Sequence, residues 1–571
     1  MKRKFNQIES PAFHTRSKIK KNNKNLHFSL PDSPLKQFVS ATKVFNFVKG
    51  DTLVDWLSLY SNKNKKKDEL SLFLCKSGIS FETKIQNYLK QKFKTVTISN
   101  KITTETCKKT VEAMKAGIPL IFSAPVVSKN NTGGIVDLLI RSDYVQKIVN
   151  DVAAPNHNSP CIFSDSWHYV VIDVKFISLK LASDSTHLIN TKNILSYKCQ
   201  TLIYTNAVAD IQKYKSRFAY LLGTGWKYTT KNKKYKSNFS FSKLGLIDFY
   251  KRDKKCITLT KNAIRWYRQL LYFGKNWSID PPSRKELYPN MTVDSGYYFN
   301  SVKRKLAWKF GEVTSLWKCG IKNRNIAFQN GVFSWKDPKC NFKTLGLEKS
   351  KYKNVVQQIL KINNSDFDVL PKNIKTNIFQ WRNTQHNEVF VDFETINRFV
   401  DHSQFPNYIS KPYIFMIGVG YAQNGTFIHK TFTARDISVA EEFRICKEFT
   451  KFMELRGNPK AFYWHAEKYL WKKNHNWKWA DIRQIFIKEP VVIKNTFSYS
   501  IKDIAKSLRR LGKVTSCIES PCQNGMTAML DAWDYYSNTI SNKNKMINIQ
   551  NYNLFDCKIL YEIISYLRKF H

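Results

Sequence analysis

The chain has 571 residues, with 93 Lys or Arg against 44 Asp or Glu, a formal net charge of +49. Hydrophobic residues make up 42% of it and aromatics 14%, enough for several packed cores, which excludes a disordered basic protein. So basic a surface attracts polyanions, nucleic acid first among them, although the Lys/Asn-rich usage of an AT-rich genome accounts for part of the excess.

Residues 1–40, with "MKRKFNQIESPAFHTRSKIKKNNK" at their start, read as a disordered basic tail. The tail lacks the apolar centre of a signal peptide, so secretion is not expected. Its Lys/Arg runs suit a nuclear address, a phosphate-binding arm or a plain solvated tail. No run of about 18 apolar residues occurs, and a membrane span is not expected. The eleven cysteines are scattered without a CxxC pair, which fits a reducing intracellular compartment better than a disulfide or zinc framework.

Residues 41–225 read as one α/β unit. In "GISFETKIQNYLKQKF" (78–93), Ile85, Leu89 and Phe93 follow Glu82 at i+3, i+7 and i+11, so Glu82 starts an apolar helix stripe. A carboxylate there also answers the helix dipole. "GGIVDLLI" (133–140) reads as a buried strand, and Asp137 shares parity with Ile135 and Leu139. After a loop at 149–167, "YVVIDVKF" (169–176) places Asp173 and Lys175 on one strand face. A salt bridge would satisfy that pair but would leave Asp137 and Glu82 without a partner. Surplus buried carboxylates call for a cation, and one or two Mg²⁺ or Mn²⁺ ions would leave Lys175 to orient or deprotonate a water. Gln200 and Tyr204 follow at Q-x-x-x-Y spacing on a helix.

Residues 226–380 read as a basic connector, polar and poorly periodic to about 250 and mostly helical beyond. Arg265, Arg268, Lys303, Arg304 and Lys305, interleaved with Trp266, Tyr267 and Trp308, could track a nucleic-acid backbone. "GEVTSLWKCGIKNRNIAFQNGVFSW" (311–335) suits either a helix-hairpin-helix element or a plain helical connector.

Residues 388–571 read as a second α/β unit. "VFVDFETI" (389–396) puts Asp392 and Glu394 on one strand face. Strands are expected at 412–422 and 425–432, a helix at 439–454, and a strand entering a helix at 460–470. The amphipathic helix at 549–567 carries Tyr552 and Asp556 on its inner face.

The order helix-Glu, strand-Asp, Asp-x-Lys, then Q-x-x-x-Y resembles the RecB-type branch of the PD-(D/E)xK nucleases. The resemblance implies a restriction-endonuclease-like fold with catalytic Glu82, Asp137, Asp173, Lys175, Gln200 and Tyr204, Asp137 and Asp173 binding metal. Some RecB-type nucleases carry a four-cysteine iron–sulfur cluster; this chain lacks the spacing, and none is expected. D-x-E followed by Y-x-x-x-D resembles the tyrosine subtype of the DEDD 3′–5′ exonucleases, which have an RNase H-like fold. That resemblance implies that Asp392, Glu394 and Asp556 bind metal and that Tyr552 orients the attacking water. The family's middle aspartate is missing; Glu467 is the best positional match and Asp503 the weaker one.

The two units in this order resemble a family found in bacteria and in large DNA viruses. It implies a metal-dependent nuclease, foremost an exonuclease, acting on DNA in repair, recombination or viral DNA processing, located in a host nucleus, cytoplasm or viral factory; endo- or exonuclease action at the first centre stays open. No G-x-x-x-x-G-K-[S/T] occurs, so any ATP dependence would come from a separate helicase. The residues leave open an RNA substrate, and a packaging or virion protein with inactive nuclease folds. They do not speak to oligomeric state.

Overall fold

The computed structural model describes residues 38–61, 69–149, 151, 159–231, 233–383, 387–397, 405–408, 412–471, 473–537 and 543–571. The expected tail lies, up to residue 37, outside them, as do residues 150 and 152–158 of the expected loop.

The expected mixed α/β, multi-domain architecture is observed. Ten strands come from the N-terminal part: β1 (Val39–Ser40), β2 (Thr95–Thr97), β3 (Leu120–Val127), β4 (Thr132–Arg141), β5 (Tyr169–Val174), β6 (Ser178–Lys180), β7 (Phe218–Leu222), β8 (Gly225–Thr230), β9 (Lys233–Ser237) and β10 (Gly245–Asp248). Seven form one sheet in the order β10-β7-β5-β4-β3-β2, with β1 pairing β4. β3, β4 and β5 run antiparallel. β5 and β7 are parallel, because the helix Lys192–Gln212 returns the chain across one face between them. Leu202, Ile203 and Ala207 of that helix pack on Leu139 and Val171. On the other face Phe81, Ile85 and Leu89 of the helix Glu69–Lys90 pack on Leu138, Ile140 and Ile172.

The C-terminal part adds β11 (Val369–Leu370), β12 (Glu388–Asn397), β13 (Pro412–Gln423), β14 (Thr426–Thr433), β15 (Lys460–Tyr463), β16 (Trp479–Asp481) and β17 (Val492–Ile493). Its five-stranded sheet has the order β14-β13-β12-β15-β16. β12, β13 and β14 alternate in direction, while β12, β15 and β16 are parallel. The alternation of β12 splits its apolar residues between two cores. Phe390 joins Phe555, Ile559 and Ile563 of the helix Lys543–Phe570. Val391 and Phe393 join Ile445 and Phe449 of the helix Val439–Leu455.

The stretch expected as a connector does not stand apart. Residues 226–250 contain β8, β9 and β10, and β10 closes the edge of the first sheet beyond the expected boundary at 225. Their alternation is of aromatics against lysines, which reads as polar. Trp266, Tyr267 and Leu270 pack with Leu53 and Leu57 of the N-terminal part. Val313, Trp335 and Trp381 belong to the C-terminal core, and β11 pairs β17. Residues 311–335 hold one α-helix, Ile321–Gln329, preceded only by a 3-10 turn at Val313–Ser315, and no second α-helix to complete a hairpin. Among the described residues, no helix is long and apolar enough to cross a membrane.

Candidate active site: two carboxylate centres

The first centre forms where the sheet register brings two aspartates side by side. Leu138 stands opposite Ile172, so the next pair in line is Asp137 and Asp173. The β3–β4 ladder skips the position facing Asp137, where Ser123 adopts a left-handed backbone (φ 46°). Lys175 Nζ donates to Asp173 Oδ1 at 2.8 Å and lies 3.7 Å from Asp137 Oδ2. Asp137 Oδ2 also accepts the Val174 N–H at 2.7 Å.

Glu82 sits one step off the buried stripe, at its rim, because the core-facing positions are Phe81, Ile85 and Leu89. The counting from Glu82 through Ile85 and Leu89 to Phe93 therefore places it slightly wrongly, and the offset is what leaves it half-buried beside Asp137. Burial and then the Asp137 charge push the Glu82 carboxyl up to about 7. Burial pushes Asp173 up to about 7, against the Lys175 ammonium. Burial pulls Lys175 down, but Asp173 and Asp137 outweigh it and hold its ammonium above the ordinary lysine range. Lys175 is thus held as a cation between the two aspartates. Gln200 donates to the Tyr204 hydroxyl at 2.9 Å, and the tyrosine ring packs so tightly on Gly134 that a Cβ there would lie 2.7 Å from it. Asp173 Oδ2 and Gln200 Oε1 are buried without a hydrogen-bond partner.

The second centre is built by β12 and the helix Lys543–Phe570. Among the described residues, Asp392, Glu394 and Asp556 form the one carboxylate triad with an oxygen from each within 4.8 Å of the others. Glu394 Oε1 and Asp556 Oδ1 are buried with no hydrogen-bond partner. Burial, then the Asp556 charge, pushes Asp392 up to about 8; burial pushes Asp556 up to about 6, opposed by Lys502. Burial and Asp392 raise Glu394 well above the usual carboxylate range. Glu467 opens the short helix Glu467–Leu470, where its carboxylate accepts the Ala466 N–H. It lies outside the triad, is buried, and has Asp392 as the charge that acts most strongly on it. Asp503 is exposed and bound to Ser498, so of the two candidates for the missing aspartate Glu467 is the one on which the Asp392 charge acts.

Three residues here escaped the sequence reading. Lys502 donates to the Tyr552 hydroxyl at 2.6 Å and to the Gln523 carbonyl at 2.9 Å. One residue is about 100° of helix, so turning Lys502 inward turns Asp503 outward. Asn553 donates to Asp392 Oδ2 at 2.9 Å and receives a bond from His429 at 3.1 Å. Gly418 stands opposite Asp392 and leaves the room for it, since a Cβ there would lie 1.5 Å from Asn553 Oδ1. Only the glycine inside an apolar strand was a sequence signal.

The donor sets fit a hard divalent cation. Orphaned buried carboxylate oxygens are what such an ion binds, and the second centre offers two of them plus Asp392. The first offers Asp137 and Asp173, with Lys175 already supplying one positive charge.

No protein-family model and no curated protein matches this chain.

The expected nucleic-acid contacts divide. Arg265 and Arg268 line a cavity of about 790 Å³ with Lys215, Lys261, Tyr272 and Phe273. Arg304 and Lys305 are exposed. Lys303 is fully buried in an ion pair with Asp51 at 2.9 Å and cannot meet a phosphate, because the helix Tyr297–Phe310 turns it inward. Trp266 and Tyr267 are buried as well, Trp266 donating to Asp55, so they offer no face for a base to stack on.

Proposed function

We propose that this chain is a divalent-metal-dependent nuclease with two hydrolytic centres, a restriction-endonuclease-like one around Asp137, Asp173 and Lys175 and an RNase H-like one around Asp392, Glu394 and Asp556. The observation that carries the reading is the second triad. Three carboxylates from a strand and a distant helix converge in a buried place where two of their oxygens have no partner. Such a cluster disfavours folding unless a cation or protons neutralise it. The sheet order β14-β13-β12-β15-β16, with three parallel strands and a carboxylate-bearing central strand, supports the RNase H-like form.

Asp137 and Asp173 would hold metal at the first centre, and Asp392, Glu394, Asp556 and Glu467 at the second. A bound Mg²⁺ or Mn²⁺ supplies Lewis-acid stabilisation of the phosphate and a more acidic water. Lys175, held charged, orients the nucleophile and offsets charge on the phosphate. Glu82, its carboxyl raised to about 7, is suited to proton transfer at its rim position. The Tyr552 hydroxyl, fixed by Lys502, positions the water at the second centre, and the Lys502 ammonium balances charge developing beside it. DNA as substrate, ahead of RNA, rests on the resemblance in sequence.

A second reading is a nucleic-acid-binding protein whose nuclease folds are both inactive. The observation favouring it is that Lys175 alone answers both strand aspartates. Incubating the purified chain with labelled single- and double-stranded DNA and RNA, in Mn²⁺ and in EDTA, decides. Cleavage in Mn²⁺ that EDTA stops is expected. Intact nucleic acid in every arm, with binding retained, would leave the second reading standing.

A further inference from the structure

The three-stranded sheet β6-β8-β9 took no part in the site expectations, yet one of its faces carries a row of exposed lysines. Its register is explicit. β6 pairs β8 in parallel with Lys180 opposite Lys227, and β8 pairs β9 antiparallel with Lys227 opposite Lys236. Three lysines therefore stand side by side across three strands, about 4.8 Å apart at the backbone. Thr229 and Lys234 form the next pair on the same face. All five side chains are exposed. The opposite face holds Leu179, Trp226, Tyr228 and Tyr235, with Trp226 stacked on Tyr228 and Tyr228 on Tyr235, and it packs toward the first core.

Among the described residues no carboxylate forms an ion pair with these lysines, and the sequence from 218 to 247 contains no Asp or Glu at all. Like charges directly opposite on a sheet oppose its formation. The aromatic stack on the inner face holds the sheet together against that repulsion, so the row is kept at the expense of stability. We propose that this face docks the phosphodiester backbone of a nucleic-acid strand. The occupant follows from charge and shape. A membrane surface or a protein partner would be met by exposed apolar anchors, and here every aromatic is turned inward. A narrow row of cations without acids matches a linear polyanion.

The sheet is also continuous with the first centre. β5 and β7 are paired up to Val174 and Leu222, the Lys175 N–H reaches the Leu222 carbonyl at 2.9 Å, and the same two chain runs resume as β6 and β8. Lys180 is five residues beyond Lys175, at most about 17 Å along extended chain. That a strand on this face leads to the first centre rests on the nuclease reading; that the face binds a nucleic-acid backbone does not.

The test measures binding of a fluorescent single-stranded DNA by anisotropy, in EDTA so that nothing is cleaved, over a series of KCl concentrations. Lys180→Gln/Lys227→Gln/Lys236→Gln should reduce the slope of log K against log [KCl] by about 2, and Lys227→Gln alone by about 0.7. Lys108→Gln/Lys343→Gln/Lys349→Gln, which removes the same charge from exposed lysines elsewhere, should leave the slope unchanged. Thermal melts should find the first triple variant as stable as wild type or more so, because repulsion has been removed. An unchanged slope in both row variants, or an equal fall in the control triple, would overturn the proposal. Cleavage with an unchanged slope would sink this surface and spare the nuclease reading. A reduced slope in a chain that cleaves nothing would do the reverse.

Discussion

The two centres solve the same electrostatic problem differently. At the first, Lys175 lies between two strand aspartates, and the fold supplies its own countercharge. At the second, three carboxylates meet within 4.8 Å and the nearest ammonium, Lys502, is engaged with the Tyr552 hydroxyl at their margin. The first is a stable arrangement that a cation would complete. The second is under-neutralised, and a cation or bound protons must hold it together. The contrast teaches that buried acids call most strongly for a cation or protons where the protein has withheld a lysine.

The largest effect should come from disabling both. Asp392→Asn in a Lys175→Met background should lower Mn²⁺-dependent cleavage of DNA by about a thousandfold or more, a scale set by losing electrostatic stabilisation at each centre. Each single variant should keep the product pattern of the other centre on a sequencing gel. If either single variant abolishes all products, the centres are not independent.

Stability should separate them next. Lys175→Met leaves Asp173 buried without its cation and should cost about 3–5 kcal/mol in urea unfolding, with much of it recovered in Lys175→Met/Asp173→Asn. Asp556→Asn should instead stabilise the metal-free chain and remove its gain from Mn²⁺, which at a hundred times Kd is about 2.7 kcal/mol. Equal losses in both variants would erase the distinction.

The pH dependence sharpens the same point. Asp392 is raised to about 8 and Asp556 to about 6, while Glu82 and Asp173 are raised to about 7. Carboxyls raised in the folded state bind protons that the unfolded chain has already released. Their contribution is complete below about pH 4 and is lost as pH rises through 6 to 8. The metal-free melting temperature should therefore fall between pH 5 and 8.5, and Mn²⁺ should restore it at pH 8.5 but not at pH 5. Asp392→Asn/Asp556→Asn should flatten the profile more than Glu82→Gln.

The smallest effect is the most local. Gly418→Ala puts a methyl where Asn553 sits, so the amide loses its grip on Asp392. Cleavage by the second centre, isolated in Lys175→Met, should fall about tenfold, and first-centre products should not change. Asn553→Ala should mimic it; an inert Gly418→Ala would mean that Asp392 needs no such support.

Much of this protein is written locally. The charged residues in Asp137, Asp173, Asp392 and Asp556 break apolar periods, and a broken period is visible in a single segment of chain. The strands 132–141, 169–174, 388–397 and 412–423 and the helices around Gln200 and Tyr552 follow from the same periods. Other features exist only between segments. That Asp137 and Asp173 are neighbours is a matter of β-register, and that Lys175 is a captive cation follows from that adjacency. Lys303 and Arg304 are consecutive basic residues on one helix, yet one is buried on Asp51 and the other faces solvent, because only packing decides which way a helix turns. Lys502 and Asn553 had no signal of their own, and the lysine row of β6-β8-β9 showed only as a polar, basic stretch until strand pairing aligned it. Sequence fixes which groups are chemically out of place along the chain, whereas strand pairing and helix rotation, which depend on partners far away in sequence, decide which of those groups meet.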